Sequence, residues 1–410
     1  MAIFSCRFCG TGLEHVFADL GESPLANSFV DAENRNRPEP LHPLRVLVCA
    51  ECRLVQLPEL ESPESIFSDY AYFSSFSDSW LEHAERYVEA MTERFALGSD
   101  SQVVEIASND GYLLQYFVER NIPVLGVEPA ANVAEAAIAD GIPTEIRFFG
   151  EASAHDLKEN GFGADLLLGN NVLAHVPDLN DFVSGLKVLL EPDGVITMEF
   201  PHVMRLIEHN QFDTIYHEHF SYFSLATVKR VFSFHGLRIF DVEELPTHGG
   251  SLRIFAAHTE SEEHPTRDSV DSLLATEFER GLSELKTYLR FDAQARTTRD
   301  GLLEFLAELR SKNASIAGYG APAKGNTLLN YCGIGPDAIE YTVDRSPHKQ
   351  NKLLPGSHIP VHAPTKLRET RPDYVFILPW NLRGEISREW AEIADWGGRF
   401  FVAIPRVELL

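Results

Sequence analysis

Val103-Val-Glu-Ile-Ala-Ser-Asn-Asp-Gly-Tyr112 runs from a short apolar strand into a loop holding one glycine, and a helical pattern follows. Nucleotide-like ligands bind at such carboxyl ends of strands. In a GxGxG reading, Ala107, Asn109 and Gly111 take the three glycine positions, so the loop is glycine-poor. Outward from it, short apolar runs alternate with helical patterns, with strands expected at Gln102–Ile106, Val124–Val127, Ala164–Leu168 and Gly194–Phe200. This is the βαβ rhythm of a parallel sheet. Leu237–Leu245 and Ser251–Ala257, joined by Pro246-Thr-His-Gly-Gly, form a hairpin and hence an antiparallel edge. Residues 258–312 are charged and helical in pattern. A second βαβ rhythm follows at Ala314–Gly318, Glu340–Val343, Tyr374–Leu378 and Arg399–Ala403.

The chain has 410 residues, enough for two or three domains. With 35 basic against 61 acidic residues the net charge is −26. That argues against nucleic acid, which needs a basic footprint, and against docking on anionic membranes. The opening MAIFSCRFCG has neither a basic nor an apolar signal region, and the longest apolar runs are too short to span a bilayer. A soluble cytoplasmic protein is expected, with monomer or oligomer left open.

Cys6-Arg-Phe-Cys9 and Cys49-Ala-Glu-Cys52 are two CxxC pairs with 39 residues between them. Each pair places two thiolates on one ion, and two pairs complete a tetrahedron. Structural zinc is expected. Disulfides and four unpaired thiols are the alternatives, the disulfides disfavoured in a cytoplasmic chain. Cys332 stands alone and reads as a small core residue.

The second strand ends Leu125-Gly-Val-Glu128-Pro129, with Glu128 17 residues past Gly111, where an acid accepts hydrogen bonds from ribose hydroxyls. Ala164-Asp-Leu-Leu-Leu-Gly-Asn170-Asn171-Val172-Leu-Ala-His175 and Leu189-Leu-Glu-Pro-Asp-Gly-Val follow. The order of these segments resembles the class I methyltransferases that use S-adenosylmethionine. The resemblance implies cofactor contacts from Ala107, Ser108, Asn109, Gly111, Glu128, Pro129, Asn170, Asn171 and Val172. An NAD-binding Rossmann domain is the competing reading.

After the fifth strand, Glu199-Phe-Pro-His202 leads to an insertion, Phe212-Asp-Thr-Ile-Tyr216-His217-Glu218-His219-Phe-Ser-Tyr222. Four consecutive polar or proton-handling side chains, Tyr216 to His219, suit acid–base work. Structural histidines and a metal shared by His217 and His219 are the other readings, although no third ligand is evident.

The whole chain is similar to the sugar C-methyltransferases that methylate C3 of nucleotide-linked 4-keto-2,6-dideoxysugars. The similarity rests on the CxxC…CxxC head, Tyr70-Ala-Tyr-Phe-Ser-Ser-Phe-Ser-Asp-Ser-Trp80, the Tyr-His-Glu-His run, Thr247-His248-Gly-Gly-Ser251-Leu-Arg253, and Gly318-Tyr-Gly-Ala321-Pro-Ala-Lys324-Gly325. It implies His219 as the base, with Glu218 and Tyr216 orienting it or touching the sugar and His175 and Tyr70 facing the keto sugar. It also implies substrate contacts from His202, His217, Tyr222, His248, Ser251, Arg253, Ala321, Lys324, Asn326, Trp380 and Asn381. The expected organisation is α/β. A zinc-binding domain spans 1–60, a class I methyltransferase Rossmann-like domain 61–260, a helical linker 261–312, and a C-terminal Rossmann-like domain that helps hold the nucleotide sugar 313–410. The cofactors expected are S-adenosylmethionine and structural zinc. The partner is a nucleotide-diphosphate sugar. An O- or N-methyltransferase on another metabolite, and an NAD-linked sugar-binding protein, remain alternatives.

Overall fold

All four residues of Val103–Ile106 are buried, as a parallel strand covered by helices on both faces requires. The computed structural model describes residues 4–59, 74–76 and 78–410. Its contacts gather the chain into two compact units that interleave along the sequence. The first comprises Met1–Leu13, Cys49–His202 and Phe220–Ser283; the second comprises Glu14–Val48, Val203–His219 and Glu284–Leu410.

In the first unit Val103–Ile106 is the third strand from one end of a seven-stranded sheet. The order from the opposite end is Leu237–Leu245, Ser251–His258, Leu190–Pro201, Ala164–Asn170, Val103–Ile106, Val124–Val127 and Thr144–Glu145. Ser251–His258 runs antiparallel to both its neighbours. The expected hairpin therefore ends the sheet, with its second strand inside and its first at the edge. The helix Asp78–Arg94 covers one face. Its apolar residues Ala84, Tyr87, Val88 and Met91 recur at three- and four-residue steps and pack with Leu113, Phe117, Leu166 and Leu168.

Strand ends differ from the sequence expectation for local reasons. Gln102 stands outside its strand because its amide donates to Asp165 Oδ2 at 2.7 Å. The strand expected from Gly194 begins at Leu190, directly after the helix Leu179–Leu189. The charged stretch after residue 258 resolves into helices Asp268–Glu279, Leu285–Leu289 and Phe291–Ser311.

The second unit carries a six-stranded sheet ordered Val361–His362, Thr342–Val343, Ile316–Tyr319, Tyr374–Ile377, Arg399–Val402 and Glu408–Leu409. Only the last pairing is antiparallel. Its first strand starts two residues later than expected, since Ser315 is turned toward Asp373, which accepts from its amide and its hydroxyl at 2.8 Å each. An antiparallel pair of strands, His15–Ser23 and His42–Val48, belongs to the same unit. Among the described residues no helix is long and apolar enough to cross a membrane.

Candidate functional site

The two CxxC turns of the first unit share one backbone design. Gly10 N–H donates to the Cys6 carbonyl at 2.9 Å, and Arg53 N–H to the Cys49 carbonyl at 3.1 Å. The residue after each second cysteine is left-handed, Gly10 at φ 74° and Arg53 at φ 63°. This brings Cys6, Cys9, Cys49 and Cys52 together, with all four sulfurs within 4.8 Å of one another. The Cys6–Cys52 and Cys9–Cys49 sulfurs are 3.5 Å apart, far beyond a disulfide bond of about 2.05 Å. A tetrahedral zinc with Zn–S near 2.3 Å sets sulfurs at about 3.8 Å, so the donor set fits. Four protein ligands close the coordination sphere, which makes the metal structural. The hydrogen bond from Cys52 holds the Cys6 thiol well below its ordinary range while Cys52 is pushed up. Gln56 adds an N–H to the Cys6 sulfur at 3.2 Å. Among the described residues no other group of three or more metal-ligating side chains gathers, His217 and His219 included.

The cofactor loop takes the backbone of a glycine-rich turn with one glycine. Ala107, Asn109 and Gly111 have φ of 56°, 51° and 76°, at the three positions of the GxGxG reading. Glu128, 5% exposed, directly follows the adjacent strand Val124–Val127. Its Oε2 accepts the Asn109 amide at 2.9 Å and its Oε1 the Ala130 amide at 2.8 Å. Two donors leave lone pairs on a carboxylate, which has about four acceptor directions. Burial pushes Glu128 up from the usual carboxylate range. Glu105 lies deeper and is pushed further, by burial and then by Glu128 and Asp110.

Around this loop sit buried polar atoms with no hydrogen-bond partner among the described residues: Glu105 Oε2, Ser108 Oγ, Asp110 Oδ1, both amide atoms of Asn170, and Asn171 Oδ1. Such a cluster suits a polar ligand lying across the strand ends, as S-adenosylmethionine would. Pro129 and Val172 each lie two residues beyond the strands Val124–Val127 and Ala164–Asn170. Backbone amides of Ser74 and Ser75 donate to Asn109 Oδ1 (2.9 Å) and Asp110 Oδ2 (3.1 Å), which ties the preceding segment to the loop. Tyr70 lies outside the described residues.

His175 closes a short turn after Ala164–Asn170. Burial, helped by His248, pushes it down to about 4, so it is neutral at pH 7. His248 has φ 53° and meets Trp80 edge-on at 5.4 Å. Arg253 is not open to solvent. Its guanidinium is held by Glu199 (Nε, 2.8 Å) and Glu243 (2.9 Å) and lies 4.8 Å over the Tyr87 ring. His83 adds a contact to Glu199 at 2.9 Å. Ser251 Oγ donates to the Thr247 carbonyl at 2.9 Å, and Tyr222 is buried in a two-residue strand paired with Val55 and Gln56. His202, 1% exposed, has its Nε2 on Glu277 at 2.7 Å.

The run Tyr216–His219 belongs to the second unit, with Ala321, Lys324, Asn326, Trp380 and Asn381. His217, Glu218 and His219 are each 4% exposed. His219 Nδ1 lies 2.9 Å from the Thr214 carbonyl, and the Tyr216 ring covers it at 4.0 Å between centroids. A carbonyl only accepts, so Nδ1 carries the proton and Nε2 is the basic nitrogen of the neutral ring. His217 meets His42 edge-on at 5.7 Å. Lys324 donates to Asn381 Oδ1 at 2.8 Å and lies 5.0 Å over the Trp380 ring. Ala321 gives its amide to Asp344 at 2.7 Å. Sequence reading missed Asp213, fully buried, which accepts the Trp380 indole N–H at 2.6 Å. Burial pushes Asp213 up to about 6, against the opposing charge of Lys324. Glu199 and Asp213 lie inside segments that the sequence singles out and His83 just beyond one, but nothing local shows which residues they meet.

Three families match the chain: a zinc binding domain over residues 6–67, a methyltransferase domain over 80–242, and a C-methyltransferase C-terminal domain over 246–405. C-methyltransferase NovU of Streptomyces niveus is 36% identical over 408 residues, covering 100% of this chain and 97% of that protein. Solved structures are far less similar. A S-adenosylmethionine-dependent methyltransferase from Clostridium acetobutylicum shares 10% identity over 43% of this chain and 92% of its own, at TM-score 0.36. Magnesium protoporphyrin IX methyltransferase from Synechocystis shares 13%, over 43% and 83%, at TM-score 0.35.

Proposed function

Because the chain belongs to the S-adenosylmethionine-dependent C-methyltransferases, we propose that it removes the C3 proton of a nucleotide-linked 4-keto-6-deoxysugar and methylates the enolate so formed. Carbon is a poor nucleophile until a base takes a proton beside a carbonyl. The observation that carries the reading is His219: buried, and fixed in one tautomer by the Thr214 carbonyl, with Nε2 as its basic nitrogen. A positioned base contributes roughly 10²–10⁴-fold.

The roles follow from that assignment. His219 Nε2 takes the C3 proton, and the C–H electron pair becomes the enolate. His175 stays neutral and offers an N–H toward the charge that grows on the keto oxygen, as a preorganised donor does. Glu218 and Tyr216 set the His219 ring or contact the sugar. Glu128 and the loop 107–111 hold the methyl donor, with Asn170, Asn171 and Val172. S-adenosylmethionine supplies an electrophilic methyl group on a sulfonium. Lys324, Asn381 and Trp380 offer a cation, an amide and an indole suited to the diphosphate and nucleoside of the substrate.

The test is direct. The protein is incubated with S-adenosylmethionine and a panel of thymidine-, guanosine- and cytidine-diphosphate 4-keto-6-deoxysugars, and product mass and methyl position are read. One of these sugars should gain a methyl on carbon. Methyl transfer to oxygen, or none to any sugar of the panel, overturns the reading.

A further inference from the structure

Helix Ala323–Cys332 grips two separate segments of the second unit with neighbouring side chains. Thr327 Oγ1 donates to the Ile215 carbonyl at 2.9 Å, just ahead of the Tyr216–His219 run. Asn326, 1% exposed, donates from Nδ2 to the Ala26 carbonyl at 2.6 Å. Ala26 belongs to a built turn. The amide and hydroxyl of Ser28 both return to the Leu25 carbonyl, at 3.1 and 2.7 Å, and Phe29 N–H donates to the Asn27 carbonyl at 3.0 Å. Asn27 is held inside that turn, and its Nδ2 donates to Glu218 Oε1 at 2.6 Å.

We propose that Asn27 is the positioning residue of Glu218. A carboxamide N–H can only donate, so this contact favours the ionised carboxylate and fixes its rotamer. Asn326 and Thr327 set the register in which donor and carboxylate meet. Asn326 therefore acts on this turn through the backbone of residue 26. The inference rests on the reading of Tyr216–His219 as the proton-handling run. Among the described residues, the other titratable and charged groups about that run include Tyr216, His217 and His219 on the run itself, Asp213 just ahead of it, His42 against His217, and Lys324 facing Asp213.

Three variants test it, assayed with S-adenosylmethionine and a thymidine-diphosphate 4-keto-2,6-dideoxyhexose after thermal melts confirm folding. Asn27→Asp keeps the shape but sets two carboxylates together, which cannot both ionise. The acid limb of its pH–kcat profile should move upward, and kcat at pH 7 should fall roughly 10- to 100-fold with KM little changed. Asn27→Ala should lower kcat without moving the limb, because it adds no charge. Asn27→Gln, which restores the amide, should recover part of the loss. Parental kcat and pH profile in both Asn27→Asp and Asn27→Ala overturn the inference. Glu218→Gln in the same assay separates the two levels. If it turns over at the parental rate, the reading of the run fails. If it is inactive while Asn27→Asp behaves as the parent, only the positioning role fails.

Discussion

Gly111 shows how little freedom the cofactor loop has. Its φ is 76°, and a Cβ placed there would stand 2.3 Å from Ile142 Cδ1 and 3.3 Å from Ala137 Cβ. Ala107 and Asn109 hold similar angles with side chains attached, and at Ala107 that costs about 1–2 kcal/mol of backbone strain. Asn109 offsets its share through its amide bond to Glu128 and the Ser74 amide bonded to its side chain. We expect Gly111→Ala to lose about 2–4 kcal/mol in urea unfolding, from backbone strain and overpacking together. Calorimetry should show weaker S-adenosylhomocysteine binding. Parental stability would mean that Ile142 yields. With one glycine the loop is a weak signal by itself, and Glu128 and the order of the later motifs made it legible. What spacing could not reveal is that an alanine would accept the left-handed angle, because that depends on the Ala107 amide reaching the Val127 carbonyl, 2.8 Å away on the next strand.

At the scale of elements, helix Leu225–Phe234 begins on a buried carboxylate. Glu277 accepts the Leu225 amide at 2.6 Å, the Ala226 amide at 2.9 Å and His202 Nε2 at 2.7 Å. Ser224 Oγ accepts the next amide, from Thr227, at 3.1 Å. The first donors of the helix, which have no partners within it, are all met this way. Glu277 is 2% exposed, so Glu277→Ala strands the buried Leu225 amide and the buried His202 imidazole and also removes the partner of the part-buried Ala226 amide. A loss of about 3–5 kcal/mol is expected, read as a lower denaturation midpoint. Glu277→Gln should lose less, since its oxygen still accepts. Equal stability of Glu277→Ala and parent would show that water replaces the carboxylate. The pattern of strands and helices was readable because buried parallel strands are continuous apolar runs and helices repeat every three to four residues. The partner of His202 was not, since 75 residues separate it from Glu277 and periodicity carries no information over that distance.

Taken whole, the contacts of the chain gather its segments into two units that interleave along the sequence. Residues 14–48 and 203–219 join the C-terminal part in the second unit, while both cysteine pairs stay in the first. Composition shifts mark where the chain changes texture, and they located the zinc pairs, the cofactor strands and the second parallel sheet. They do not mark which segments fold back together. For this reason Asn27 carried no sequence signal, while the Tyr-His-Glu-His run stood out by its own residue types. The central claim is that one histidine of that run makes the carbon nucleophile. It is tested most directly by solvent deuterium exchange into the 4-keto sugar with S-adenosylhomocysteine bound, so that no methyl is transferred. The parent should place deuterium at C3, and His219→Ala should bind S-adenosylhomocysteine equally well but exchange nothing. Exchange by His219→Ala at the parental rate, or parental exchange at C5 in place of C3, would contradict the account.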